Sequence, residues 1–239
     1  HYARMLADVG DISCAFNATV YEHTLKDVPK IVQWGQQHID IVHILVFIAY
    51  RAAPIYKGYD YLVGGQKVDM GPIAYAIQED RKTSIMSTDI VGEIRTVYPD
   101  FMPSAYLNGT ERPDHFKWLL TMRVGTKDKI FGYVGAKFME MGQVLHHLMK
   151  GTYLAYTKTK VLKQGRTMLW LSPLDKGLRR TKSAYLHDAI RKPSLFFKRL
   201  HMQSVMIIQP ADFMPNGALS MCDGCPDITV YEGRLVWSC

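Results

Sequence analysis

The chain has 239 residues, 48% of them hydrophobic and 21% charged, which excludes global disorder and supplies apolar mass for one large core or two small ones. Its longest nearly apolar run, residues 41–50, is broken by His43 and falls far short of the ~20 residues a bilayer needs, so no membrane span is expected. The formal charge of +7 is concentrated in residues 176–201, which hold eight Lys or Arg and one Asp; solvated helix faces are the plainer explanation and an anionic partner the functional one.

The chain opens at His1 without a signal pattern, in what reads as the tail of a helix, so sequence is expected upstream of it. Residues 12–20 then alternate, with Ile12, Cys14, Phe16, Ala18 and Val20 on one face and Ser13, Ala15, Asn17 and Thr19 on the other, the signature of a strand with one apolar and one polar side. Leu25, Val28, Ile31, Val32, Gly35 and Ile39 recur at helical spacing, with Thr24 or Asp27 as cap and Pro29 in the first turn. Residues 41–50 read as a strand apolar on both faces, as in the middle of a parallel sheet covered by helices. Together these make a βαβ unit. Residues 52–87, rich in Gly, Tyr and Pro, read as a long loop with a short helix at 73–78, and further helices are expected at 88–98, 116–123, 136–156 and 178–190.

The four cysteines are Cys14, Cys222, Cys225 and Cys239, a distribution unlike that of a disulfide-stapled secreted domain and in keeping with a reducing, cytoplasmic setting. If Glu232-Gly233 is a two-residue hairpin loop, Tyr231 pairs with Arg234, and counting outward Cys239 lies opposite Pro226, beside Cys225. Three thiolates then converge. Such a set suits an iron–sulfur cluster or a zinc knuckle, and spacing alone does not separate the two. A fourth ligand is not evident.

Other candidates carry less. His146 and His147 are adjacent on a helix and point about 100° apart, so they do not share one ion readily; one is expected packed and the other exposed. Gly64-Gly65 and Gly132 with Gly135 lack the flanks of a phosphate loop and read as turns. Asn17 and Thr19 sit on the polar face at the carboxyl end of a strand, where α/β proteins bind ligands. Arg51, at the equivalent end of the next strand, is a candidate for the same crevice.

Met5-Leu6-Ala7-Asp8-Val9-Gly10 through Phe16-Asn17-Ala18-Thr19-Val20, then Asp27-Val28-Pro29 and Val46-Phe47-Ile48, resemble the fifth and sixth strand units of radical S-adenosylmethionine enzymes. The segment from Cys222 to Cys239 is similar to the SPASM-like auxiliary-cluster extensions of that superfamily. The resemblance covers residues 1–50 and 210–239 and is loose between them. It implies a partial (β/α)6 TIM-like barrel whose last strands occupy 1–55, a family-specific, mostly helical region at 56–205, and a Cys-rich auxiliary-cluster segment at 206–239. It also implies that S-adenosylmethionine lies across the strand ends near Asn17, Thr19, Ile48 and Arg51, that a 4Fe-4S cluster cleaves it to a 5'-deoxyadenosyl radical, and that an electron donor such as flavodoxin or ferredoxin serves a small-molecule or peptide substrate. Cys222, Cys225 and Cys239 would hold the auxiliary cluster. The superfamily's Cys-x3-Cys-x2-Cys loop for the radical cluster is absent, so these residues are expected to be the C-terminal part of such an enzyme and inactive by themselves. The rival expectation is a zinc-knuckle module without enzymatic activity, whose basic segment, with Tyr185, Phe196 and Phe197 among its cations, binds nucleic acid.

Overall fold

The protein is described by a computed structural model over residues 1–10, 12–51, 60, 62–69, 85–151, 162–214, 218–223 and 228–237. A first helix, α1 (Tyr2–Val9), leads through β1 (Ala15–Val20), a 3-10 turn (Glu22–Asp27) and α2 (Val28–Gln37) into β2 (Ile44–Ala49). The two strands run parallel from Ala15 opposite Ile44 to Val20 opposite Ala49, so the expected βαβ unit is present. Thr24 fixes the turn, its Oγ1 accepting from the Tyr21 N–H at 2.9 Å. Pro29 stands in the first turn of α2, where a missing N–H costs nothing.

The following elements are β3 (Leu62–Val63), β4 (Gln66–Lys67), α3 (Ser87–Arg95), β5 (Ala105–Asn108), β6 (Phe116–Gly125), β7 (Ile130–Tyr133) and α4 (Ala136–Lys150). After them come α5 (Gly165–Met168), a 3-10 stretch (Leu169–Leu174), α6 (Lys176–Arg191), β8 (His201–Ile208), and the pairs β9 (Asp212–Phe213) with β10 (Leu219–Ser220) and β11 (Ile228–Tyr231) with β12 (Arg234–Trp237). The helices expected at 88–98 and 178–190 correspond to α3 and α6. The helix expected at 136–156 is α4 as far as Lys150, with 152–161 outside the described residues. The helix expected at 73–78 and most of the loop at 52–87 also lie outside them.

The main departure is at 116–123, expected as a helix and found as β6, which pairs with β8 and through which β5 and β7 join the sheet. The stretch 56–205 therefore carries four sheet strands rather than helices alone. In β6 Phe116, Trp118, Leu120, Met122 and Val124 alternate with Lys117, Thr121 and Arg123, but Phe116, Leu119 and Leu120 also fall at helical spacing, so the two periods compete over this length.

The strand order is β1-β2-β8-β6-β5, with β7 also paired to β6. β1, β2 and β8 are parallel, while β6 runs antiparallel to β8, β5 and β7. The fold is mixed α/β, and among the described strands the sheet does not close into a barrel. One face carries Leu45, Phe47, Leu119, Val205 and Ile207 and packs with Ile90, Val91 and Ile94 of α3 and Val28 and Val32 of α2. On the other face the pairing aligns three rows across the sheet: Ala15-Ile44-Ser204-Met122, Asn17-Val46-Met206-Leu120 and Thr19-Ile48-Ile208-Trp118. Burial falls along these rows toward the carboxyl ends of the parallel strands, from Ile44 and Met122, both buried, to Ile48, Ile208 and Trp118, each half-buried.

The helix-covered face is pinned at its amino end by Arg123, which is fully buried. Its Nε donates to Gln203 Oε1 at 2.8 Å, its Nη2 donates to the Val32 carbonyl at 2.9 Å, and its Cζ lies 5.4 Å from the centre of the Tyr98 ring. Gln203 in turn donates to the carbonyls of Gly35 and Val42 at 2.8 and 2.7 Å. Two side chains of the sheet thus hold the last turns of α2.

That approach requires a glycine at 35, because a Cβ there would stand 2.5 Å from Leu45 Cδ1. Overpacking of this kind costs about 1–3 kcal/mol, against a gain of up to about 1 kcal/mol for alanine over glycine in a helix. Gly35→Ala should lower stability in urea unfolding by about 1–2 kcal/mol, and Leu45→Val in the same chain should recover part of the loss. An undiminished unfolding midpoint in the single variant would mean that Leu45 has room to turn away.

Candidate functional site

β1, β2 and β8 end on the same side of the sheet, and β6 begins there, with Trp118 opposite Ile208. Four chain segments meet at this end around Asp212. Arg51, two residues beyond β2, donates from Nε to Asp212 Oδ1 at 2.6 Å and from Nη1 to the Tyr50 carbonyl at 2.9 Å. Lys117 of β6 is fully buried and donates from Nζ to Asp212 Oδ2 at 2.6 Å and to the Pro210 carbonyl at 3.2 Å. Gln209 donates to Asp212 Oδ2 at 2.8 Å and accepts from the Ser87 N–H at 3.0 Å, tying in the start of α3. His115 Nδ1 lies 3.6 Å from Asp212 Oδ2. Burial alone would raise the Asp212 carboxyl, but the hydrogen bonds and charges of Arg51 and Lys117 outweigh it and hold the group down to about 2.

The cysteine segment is seated beside this centre. Gly109, just past β5, forms a β-bridge with Cys222, the Asp223 N–H donates to the Asn108 carbonyl at 2.8 Å, and the Thr110 N–H donates to the Met221 carbonyl at 2.9 Å. A Cβ on Gly109 would stand 2.7 Å from Ser220 Oγ and 3.2 Å from Lys117 Cε, so the glycine lets the segment approach the buried lysine. Cys222 is buried at 4% exposure. Around it, Asn108 Oδ1, His115 Nδ1 and Ser220 Oγ are buried without a hydrogen-bond partner, a costly arrangement for polar atoms that nothing else satisfies.

The hairpin register expected for the tail is found from Tyr231 opposite Arg234 to Ile228 opposite Trp237. Cys225 and Cys239 lie outside the described residues. Cys14 stands at the amino end of β1, away from the tail. It is buried, which pushes its thiol up, and its backbone N–H donates to His43 Nδ1 at 3.1 Å.

Asn17 and Thr19 are exposed on the face opposite α2, in rows with Val46 and Ile48, whereas Phe16 packs edge-on against Trp34 of α2 with ring centres 5.2 Å apart. The structure therefore aligns Asn17, Thr19 and Ile48 on one surface, and it engages Arg51 in the Asp212 centre rather than on that surface. On α4, His146 is half-buried and His147 exposed. Among the described residues no group of three or more His, Cys, Asp or Glu gathers as an ion would require.

Sequence reasoning missed Lys117, Gln209 and Asp212. Lys117 was hidden by the helical reading of 116–123. The signal available for the others was the apolar run 205–208 followed by Gln209-Pro210-Ala211-Asp212, a strand followed by polar residues and a proline at a ligand-binding end. No protein-family model matches the chain, and no curated protein matches it.

Asp212 makes a direct test of the centre. With its folded pKa below the ordinary value, it contributes stability that is present above about pH 4 and lost as pH falls toward 2. The contribution is at most about 2 kcal/mol once solvent screening is counted. Removing the charge also strands the buried lysine, a loss of about 3–5 kcal/mol for a broken buried pair. Asp212→Asn should therefore lower urea-unfolding stability at pH 7 by about 3 kcal/mol and flatten its decline below pH 4, while Asp212→Asn with Lys117→Met should recover much of the loss.

Proposed function

We propose that the chain is the C-terminal part of a radical S-adenosylmethionine iron–sulfur enzyme, in which β1 and β2 are the last strands of a partial barrel and Cys222, with Cys225 and Cys239, holds an auxiliary cluster. The observation that carries this reading is the position of Cys222. It is buried beside unsatisfied polar atoms at the end of the sheet where the parallel strands finish, so a group held there faces the same end as a cofactor lying across Asn17, Thr19 and Ile48.

The residues fit such a group chemically. Thiolates gathered without a cation raise one another's pKa, so Cys225 and Cys239 brought beside Cys222 would call for a bound metal or cluster. Ser220 and Asn108 bring polar oxygens, and the buried Lys117 brings positive charge, near a set that carries net negative charge. When bound, the auxiliary cluster supplies a redox-active or Lewis-acidic iron, and S-adenosylmethionine supplies the radical. The chain's own part is to orient and to exclude water. Asn17 offers an amide to the cofactor's polar groups, Thr19 a hydroxyl, and Ile48 with Ile208 an apolar floor. Arg51 reaches the crevice only through Asp212, which holds it just beyond β2.

Anaerobic treatment of the purified chain with iron and sulfide, followed by metal analysis, tests the tail. A brown product containing iron and sulfide, lost in Cys222→Ser with the unfolding midpoint kept, is the expected outcome. One colourless zinc ion per chain would instead favour the zinc knuckle. Equilibrium dialysis tests the crevice: Asn17→Leu with Thr19→Val should weaken S-adenosylmethionine binding by about tenfold, which corresponds to about 1.4 kcal/mol.

A further inference from the structure

A separate cleft of about 970 Å³ opens between α6, the start of α4 and the turn after α3. Five cations line it from three elements: Arg95 at the end of α3, Lys137 in the first turn of α4, and Lys176, Arg179 and Arg180 in the first turns of α6. All five are exposed, and among the described residues none is in an ion pair, in contrast to Lys117, Lys129 and Lys198, which are matched to Asp212, Asp188 and Asp128. Arg95 and Arg179 are held in place by single bonds to the carbonyls of Phe101 and Pro173, which leave most of their guanidinium donors available.

Two carboxylates line the cleft, Asp100 and Asp175. Asp175 is 2% exposed and already committed: Oδ1 accepts from the N–H groups of Leu178 and Gly135 at 2.8 and 2.9 Å, and Oδ2 from that of Phe138 at 3.3 Å. One side chain thereby caps α6 and α4 together, and glycines at 135 and 177 make room for it, since a Cβ at either would stand within 3.0 Å of its oxygens. Asp175 thus takes up one amide at the start of each helix, and the cationic lining of the cleft comes from side chains. The floor is aromatic, with Phe101 and Tyr133 edge-to-face at 5.8 Å and Phe131 beside them, and Met102 and Leu174 are exposed at the rim.

We infer that this cleft binds a phosphate ester with an apolar or aromatic body, the phosphate taken by the arginine and lysine side chains and the body laid on the aromatic floor. Arginine forks match phosphate oxygens two at a time, and a cleft of this volume takes a ligand of small-molecule size. The basic segment 176–201 is accordingly not one patch. Lys176, Arg179 and Arg180 face the cleft, Lys182 lies 5.8 Å from the Trp170 ring, Lys198 pairs with Asp128, and Arg191 is exposed at the far end of α6.

Calorimetric titration of the purified chain with phenyl phosphate and with inorganic phosphate tests this. Phenyl phosphate should bind more tightly than inorganic phosphate. Lys176→Gln with Arg180→Gln should weaken it by about tenfold or more, and Arg191→Gln, which removes a cation from the far end of the same helix, should leave it unchanged, all with unaltered unfolding midpoints. Absence of binding, equal loss in Arg191→Gln, or phosphate binding as tightly without the aromatic body would overturn the inference. So would a single-stranded oligonucleotide that binds with equal dependence on Arg191 and Arg180, which would make the cations a diffuse nucleic-acid surface.

Discussion

Burying two cations between the sheet and its covering helices is the constraint on which the rest of the structure turns. Lys117 and Arg123 are both fully buried, both on β6, and both stand opposite a glutamine: Gln203 of β8 pairs with Arg123, and the N–H of Gln209, the residue after β8, donates to the Lys117 carbonyl at 2.8 Å. Neither charge is tolerable in that layer without partners. Each end of the layer solves the problem differently. At the amino end, carbonyls of α2, an amide oxygen and the Tyr98 ring surround the guanidinium without a carboxylate. At the carboxyl end, Asp212 is brought back over the strand ends to meet Lys117 and Arg51 at once.

Each solution positions something else. The Arg123–Gln203 pair reaches the carbonyls of Val32, Gly35 and Val42, so the sheet dictates where α2 ends and how the chain enters β2. The Asp212 centre requires the chain after β8 to turn sharply, and the β9–β10 hairpin that follows places Ser220 against Gly109 and Cys222 in a bridge with it. The seat of the cysteine segment is therefore a consequence of neutralising a buried lysine. Electrostatics within the core reaches the proposed site through the hairpin that begins at Asp212 and ends at Ser220.

The βαβ start was legible because each of its strands carries a distinct pattern, clean alternation in β1 and an unbroken apolar run in β2, with Pro29 marking the helix between them. The β11–β12 register was legible from Glu232-Gly233 alone, where Glu232 and Gly233 both adopt positive φ, 47° and 73°. β6 was not, because its polar side, Lys117, Thr121 and Arg123, is the buried one, against expectation for charged residues, and because Phe116, Leu119 and Leu120 also fit a helical spacing. With β6 misread, its long-range partners β5, β7 and β8 could not be placed, and the sheet could not be extended beyond two strands. Of the candidate site, Asn17, Thr19, Arg51 and Cys222 could be singled out from local context. Lys117, Gln209 and Asp212 were not, since their chemistry exists only after residues far apart in sequence meet.

The two ends of β6 also keep the proposed sites apart. Lys117 opens the strand beside the cysteine segment, whereas Arg123 to Gly125 pair with β7, whose Phe131 and Tyr133 floor the basic cleft. Seven residues of strand separate Lys117 from Val124, a span of about 23 Å at 3.3 Å per residue. A ligand in the cleft is therefore too far from Cys222 or Asn17 to take part in chemistry there, and the Debye length of about 8 Å at physiological salt screens its charge from Asp212. Between the two sites lies a packed layer in which the same lysine and arginine are both fully buried.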